Sequence, residues 1–141
     1  MSVKYTIRTA RIEDLEILDR IHAANMKSYV ERVYPWNDNL FRDRFIPEEY
    51  RIIEVKERVV GFFKIVTSTT DIYLAEIQIL SQYQNRGIAT SLLKLIIDRA
   101  KANHLKLWLK VIKGNPAEQL YRKLGFTVFE ESPTHKKMQI T

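Results

Sequence analysis

The segment Gln84-Asn85-Arg86-Gly87-Ile88-Ala89-Thr90 stands between a β-like apolar run, Ile72 to Leu80, and a strongly apolar helical pattern, Ile88 to Ala102. A helix start leaves its first N–H groups unpaired and carries the positive end of the macrodipole. A turn whose backbone can come close to a ligand there is an anion site. Gly87 permits that approach, and the small Ala89 keeps the first helical turn uncluttered. The chemistry implied is the binding of a phosphate or pyrophosphate, although a tightly packed strand-to-helix junction would use the same small residues. No G-x-G-x-x-G follows a strand, and no Gly-Lys-Ser/Thr is present, so neither a dinucleotide nor a nucleoside-triphosphate loop is favoured.

A second constellation lies downstream. Asn115-Pro116-Ala117-Glu118, followed by Leu120, Tyr121, Leu124 and Gly125, reads as a short helix with its own punctuation. Asn115 is the expected N-cap, Pro116 fits the first helical position, Glu118 completes a capping-box pairing, and Gly125 ends the helix in the left-handed conformation. Phe126 is expected to fold back near Leu120 and Tyr121, which places Tyr121 on or beside the apolar face.

The order strand, Gln84-x-x-Gly87-x-Ala89, long helix, strand (Leu105 to Ile112), then Asn115-x-x-Ala117-x-x-x-Tyr121-x-x-x-Gly125-Phe126 resembles the GCN5-related N-acetyltransferase superfamily. The family's phosphate motif, Gln/Arg-x-x-Gly-x-Gly/Ala, is matched at each fixed position, with Ala at the last. The opening Ile7-Arg8-Thr9-Ala10-Arg11-x-x-Asp14 is similar to the family's first strand and helix start, so the resemblance spans nearly the whole chain. Ser81 stands where the family often has proline.

The resemblance implies a mixed, mostly antiparallel α/β sheet with helices on both faces, splayed by a bulge at the strand before the pyrophosphate-binding turn. It implies an N-acetyltransferase that uses acetyl-CoA, releases coenzyme A, and lets a primary amine attack directly. Cofactor binding is expected from main chain at about Ile77, Ile79 and Leu80, from Gln84, Asn85, Arg86, Gly87, Ile88, Ala89 and Thr90, and from Asn115 and Tyr121. An N–H near Ile79 or Leu80 would polarise the thioester carbonyl. Tyr121 is the implied acid for the departing thiolate. Its packing on the helix is compatible with that role. A base or a water chain must also take the amine's proton. Glu76 is the candidate among side chains, and strand alternation puts it on one face with Gln78. The acceptor region implied is about 26–45, rich in aromatics, with Tyr29 and Trp36 as candidate substrate contacts beside Gln78; core and lid packing explains such aromatics equally well.

The elements that must position these residues follow from periodicity. Tyr5 to Thr9 predicts a first strand. Asp14 to about Ala24 predicts a helix with Leu15, Ile17, Leu18 and Ile21 on its apolar face, and Met26 to Tyr34 a second helix broken at Pro35. Arg51 to Lys56 and Val59 to Thr67 predict a hairpin turned at Glu57-Arg58; a last pair, Phe126 to Glu130 and Lys136 to Ile140, flanks Ser132-Pro133-Thr134.

At 141 residues, 45% hydrophobic, the chain is expected to form one domain, residues 1–141. No long uncharged apolar stretch and no signal-like apolar region occurs, so a cytoplasmic protein without membrane partners is expected. Zero cysteines exclude a disulfide framework, a cysteine nucleophile and a thiolate metal site. His22, His104 and His135 lie far apart, so no metal is expected. Most of the net charge of +6 falls in the half that contains the cradle, where it favours an anionic ligand, or marks only the solvated faces of a helix and a strand. No basic run or interleaved aromatic motif suggests nucleic acid. The expected acceptor is a small-molecule or protein amine, and the expected state a monomer or homodimer. A non-catalytic acyl-CoA-binding regulatory module is the alternative function.

Overall fold

The computed structural model describes residues 3–140. In chain order it contains β1 (Thr6–Thr9), α1 (Leu15–Val30), α2 (Leu40–Arg44), β2 (Tyr50–Val55), β3 (Arg58–Thr67), β4 (Asp71–Ile79), α3 (Ile88–Ala102), β5 (Lys106–Ile112), α4 (Ala117–Lys123), β6 (Thr127–Glu131) and β7 (His135–Ile140). The strands hydrogen-bond in the order β1-β2-β3-β4-β5-β7-β6, with β4–β5 parallel and the pairs β1–β2, β2–β3, β5–β7 and β6–β7 antiparallel. This is the mixed, mostly antiparallel α/β sheet that the sequence implies. By compactness the chain divides into two units, one of Met1–Lys64 with Glu76–Ala89 and one of Ile65–Ala75 with Thr90–Thr141.

The first unit is built on a core of Ala10, Leu18, Ile21, Phe41, Tyr50, Ile52 and Phe62, against which Leu15, Ile17, Phe45, Val59 and Leu80 pack. Leu18 and Ile21 recur at helical spacing, so one stripe of α1 enters that core while its other faces stay polar. Arg8 locks the start of α1 to the sheet: its guanidinium donates to both oxygens of Asp14 (2.8 and 2.9 Å) and to Glu54 (3.1 Å). The hydrogen bond from Arg8 holds the Asp14 carboxyl below the usual carboxylate range. Arg42 fastens α2 to α1 by a fork onto both Glu16 oxygens (2.7 and 2.8 Å) and a bond from Nε to Asp19 (2.8 Å).

In the second unit, Leu92, Leu93, Ile96, Ile97 and Ala100 of α3 are buried at three- and four-residue spacing, and Leu107, Leu109 and Val111 alternate inward along β5. Only the amino half of β4 takes part here, from Asp71 opposite Lys106 to Leu74 opposite Leu109. Gly125 ends α4 with φ of 105°, and Phe126 sets its ring at 60° to that of Tyr121, as its sequence position predicts.

Three local expectations are corrected. Met26 to Tyr34 is no second helix: α1 runs unbroken to Val30, because Ala23 and Ala24 favour helix and nothing in Asn25-Met26 stops it. The β2–β3 turn is Lys56-Glu57, not Glu57-Arg58. Both residues take positive φ (51° and 66°), which matches a two-residue hairpin to the strands' twist. Glu118 does not complete a capping box; its carboxylate accepts from Arg122 (2.8 Å) and Lys136 (3.1 Å), while Asn115 Oδ1 alone caps the helix start by accepting from the Ala117 N–H (2.9 Å).

Gly61 on β3 packs closely against the end of β4. A Cβ there would lie 2.4 Å from the Gln78 carbonyl oxygen and 2.9 Å from Ile79 Cδ1. Gly61→Ala must push the end of β4 off β3, and is expected to cost about 1–3 kcal/mol; urea unfolding of the two proteins side by side measures it. An unchanged midpoint would show that the strands yield freely at this point.

Candidate active site

The end of β4 carries the polar groups. Strand alternation sets Glu76 and Gln78 on one face, and they meet there: Gln78 Nε2 donates to Glu76 Oε2 (3.3 Å). Helix α1 supplies two partners. His22 Nδ1 bonds the same Glu76 oxygen, and Asn25 Nδ2 donates to Gln78 Oε1 (3.1 Å) and to the Ile79 carbonyl (2.9 Å). A third side chain closes the group, for Gln84 Nε2 donates to that same Ile79 carbonyl (2.9 Å). Five side chains and one main-chain carbonyl thus form a connected network at the strand's end.

Sequence reasoning placed Glu76, Gln78 and Gln84 in this region and missed His22 and Asn25. Their signal was the three-residue spacing on α1, which puts both on one helical face beside the apolar stripe. The imidazole of His22 stacks with two aromatic rings, its centroid 4.9 Å from that of Phe41 and 5.7 Å from that of Trp36. Trp36, a candidate substrate contact, is therefore part of the wall of this cluster, and its Nε1 donates to Asp38 (3.0 Å). Tyr29, the other candidate, lies under the Arg32 guanidinium (5.3 Å from its ring centroid).

The cradle follows directly. Ser81–Tyr83 forms one 3-10 turn in place of the family's proline, and then Asn85 and Gly87 take left-handed φ values of 60° and 86° before α3 begins at Ile88. The left-handed backbone suits glycine at position 87, and a larger residue there is strained before any ligand is considered. Among the described residues, no acceptor is found for the main-chain N–H groups of Asn85, Arg86 or Gly87. Arg86 lies over the Tyr83 ring (5.4 Å), and Ile88 is buried as an anchor, so Ile88 offers a ligand its backbone only. Gln84 is spent on the turn: its main-chain N–H donates to Ser81 O (3.2 Å) and its side chain to Ile79 O.

Of the two amides expected to face a thioester carbonyl, Leu80's is excluded, since it donates to Val60 O at 2.8 Å. Successive strand amides point to opposite edges, so the Ile79 N–H, like that of Ile77, is directed to the edge away from β3. In the second unit, Tyr121 is 8% exposed, and burial pushes its phenol up to about 12. The phenol is therefore protonated at neutral pH. Among the described residues, no cluster of three or more His, Asp or Glu side chains suits a metal ion, and no helix is long and apolar enough to cross a membrane.

A model of the acetyltransferase (GNAT) family matches residues 11–126. Over 120 residues the chain is 29% identical to a ribosomal protein bS18-alanine N-acetyltransferase of Haemophilus influenzae, covering 79% of this chain and 82% of that protein. Over 138 residues it is 28% identical to an N-alpha-acetyltransferase of Sulfurisphaera tokodaii, covering 87% and 80%. Its fold is similar to that of Arabidopsis thaliana Naa50 in complex with the bisubstrate analogue CoA-Ac-MVNAL, with a TM-score of 0.71 at 18% identity over 99% of each chain.

The raised phenol of Tyr121 fixes a sign for alkaline stability. Its folded-state value lies above that of the unfolded chain, so the stabilisation is complete below about pH 10 and is lost as pH rises toward 12. Tyr121→Phe removes this contribution. Wild-type protein should therefore lose stability over that window more steeply than the variant, measured by urea unfolding at a series of alkaline pH values; parallel curves would show that the phenol ionises at an ordinary value.

Proposed function

The chain belongs to the acetyltransferase (GNAT) family and is an N-acetyltransferase, and from that premise we propose that residues 1–141 act as one domain that acetylates the N-terminal amine of a protein. The observation that carries the reading is the end of β4. A left-handed glycine turn opening α3 and a histidine–carboxylate cluster occupy the same strand end, anion binding beside proton acceptance. The Haemophilus relative is by name a ribosomal protein alanine N-acetyltransferase, the Sulfurisphaera relative is an N-alpha-acetyltransferase, and the analogue held by Naa50 couples coenzyme A, an acetyl group and the sequence MVNAL.

In this reading Asn85, Arg86, Gly87, Ile88, Ala89 and Thr90 hold the pyrophosphate of acetyl-CoA by main-chain amides at the start of α3. The main chain of Ile77 and Ile79 pairs with the pantetheine arm, and Asn115 and Tyr121 complete the cofactor contacts that the resemblance implies. Bound acetyl-CoA supplies an activated acyl carbonyl and a thiolate leaving group. The Ile79 N–H donates to the carbonyl oxygen where charge develops. The amine, enclosed by Tyr29, Trp36 and Gln78, gives its proton to the Glu76 cluster and attacks directly; a chain without cysteine has no thiol for an acyl-enzyme. Tyr121, kept protonated by burial, donates to the departing sulfur. A cytoplasmic monomer or homodimer meets these needs.

Acetyl transfer to peptides with a free N-terminus, compared with the same peptides blocked and with small amines, tests the acceptor; transfer to small amines alone would overturn it. Tyr121→Phe should lower turnover by roughly 10- to 1,000-fold with acetyl-CoA affinity little changed. Gly87→Val should abolish the rise in melting temperature given by acetyl-CoA while the fold survives. A wild-type ligand shift in that variant would remove the cradle.

A further inference from the structure

Within the Glu76 cluster, we infer that the proton-accepting atom is His22 Nε2, with Glu76 the carboxylate that orients it. This rests on the N-acetyltransferase reading above. A carboxylate oxygen and a bare imidazole nitrogen both offer lone pairs, so their bond requires a proton between them. With Glu76 ionised, neutral His22 carries its proton on Nδ1, toward Glu76, and its basic lone pair lies on Nε2.

The surroundings separate the two candidates. Glu76 Oε2 already accepts from His22 and from Gln78, and the Glu76 side chain is 15% exposed; that of His22 is 22% exposed, and among the described residues Nε2 has no partner. Phe41 and Trp36 both stack on the ring, so the free nitrogen is presented in a fixed orientation. The charged and titratable groups about the pair are few. Tyr50 of β2 senses Glu76, but burial foremost keeps its phenol up at about 12 and therefore neutral. Asp19 on α1 is neutralised by Arg42 of α2, and Asp38 accepts from Trp36. Among the described residues, no Lys or Arg side chain pairs with Glu76.

The step balances. An N-terminal ammonium gives its proton to Nε2, and the freed lone pair forms the C–N bond as the C–S bond breaks. The sulfur takes its proton from Tyr121, and the imidazolium, facing the Glu76 carboxylate through Nδ1, returns its proton to water. The proton left on the new amide nitrogen passes by water to the Tyr121 phenolate, which restores the phenol.

Two readouts test this. Long-range 15N NMR correlation on the whole protein reads which nitrogen of neutral His22 is protonated, whatever the activity; Nδ1–H is expected, and Nε2–H overturns the assignment. His22→Gln keeps an N–H donor for Glu76 and removes the basic ring nitrogen. Its kcat should fall by roughly 100-fold or more, the acid limb of its pH profile should disappear, and its melting-temperature rise with acetyl-CoA should persist. Added imidazole should restore part of the turnover of His22→Ala. Wild-type kcat and an unchanged acid limb in His22→Gln would reduce His22 to a support for Glu76. If wild-type enzyme acetylates no N-terminal peptide, the acceptor reading fails, and the NMR result still decides the state of the pair.

Discussion

The carbonyl of Ile79 is the point on which the site depends. It accepts two side-chain N–H groups, one from Asn25 on α1 and one from Gln84 in the turn. A strand that stops must leave its last carbonyl paired with something, and a partly buried carbonyl without a partner costs about as much as a lost hydrogen bond. Here the two donors that satisfy it also fix the helix and the turn to the strand end. The same few atoms therefore set where Glu76 lies, where Gln78 lies, and how the chain enters the Asn85-to-Gly87 turn. Gly61 makes this possible from behind, since β3 closes to a distance that no side chain at position 61 would allow.

From that clasp the geometry of the cluster follows in order. With Asn25 tied to Gln78 and Ile79, the face of α1 toward the strand is set, and His22, three residues earlier on that face, comes to Glu76. Arg42 then matters although it touches neither residue: its fork onto Glu16 and bond to Asp19 hold α2 on α1, and α2 brings Phe41 against the imidazole. A bidentate, three-bonded arginine resists rotation better than a single exposed ion pair, whose worth at a surface is small. Orientation of the ring is its contribution, more than stability.

What the sequence revealed divides by range. The helix over Ile88 to Ala102, the left-handed Gly125 and the need for glycine at position 87 were legible, because each is written in local periodicity or in one residue's backbone preference. Gln84 was legible as a motif position, yet its work is to hold Ile79. The pairing of His22 with Glu76 joins residues 54 apart in the chain, and no local pattern encodes it. The same range explains Glu118. A capping box was the nearest use for its carboxylate, but Lys136 arrives from β7, and with Arg122 offers two cations against one neutral N–H.

In the proposed mechanism the proton donor and the proton acceptor are prepared by opposite means. Tyr121 is kept protonated by removal of water: burial alone raises its phenol, with no neighbouring charge needed, and its ring packs against Phe126. His22 is prepared by contact, since the Glu76 carboxylate determines which nitrogen holds the proton and the aromatic walls determine where the other points. Desolvation is indifferent to geometry, so the donor tolerates a short helix capped by Asn115 and ended by Gly125. A hydrogen-bonded pair loses its value within a few tenths of an ångström. That difference accounts for the density of polar ties about β4 and α1, where Arg8, Asn25, Arg42 and Gln84 each hold an element in place around one imidazole.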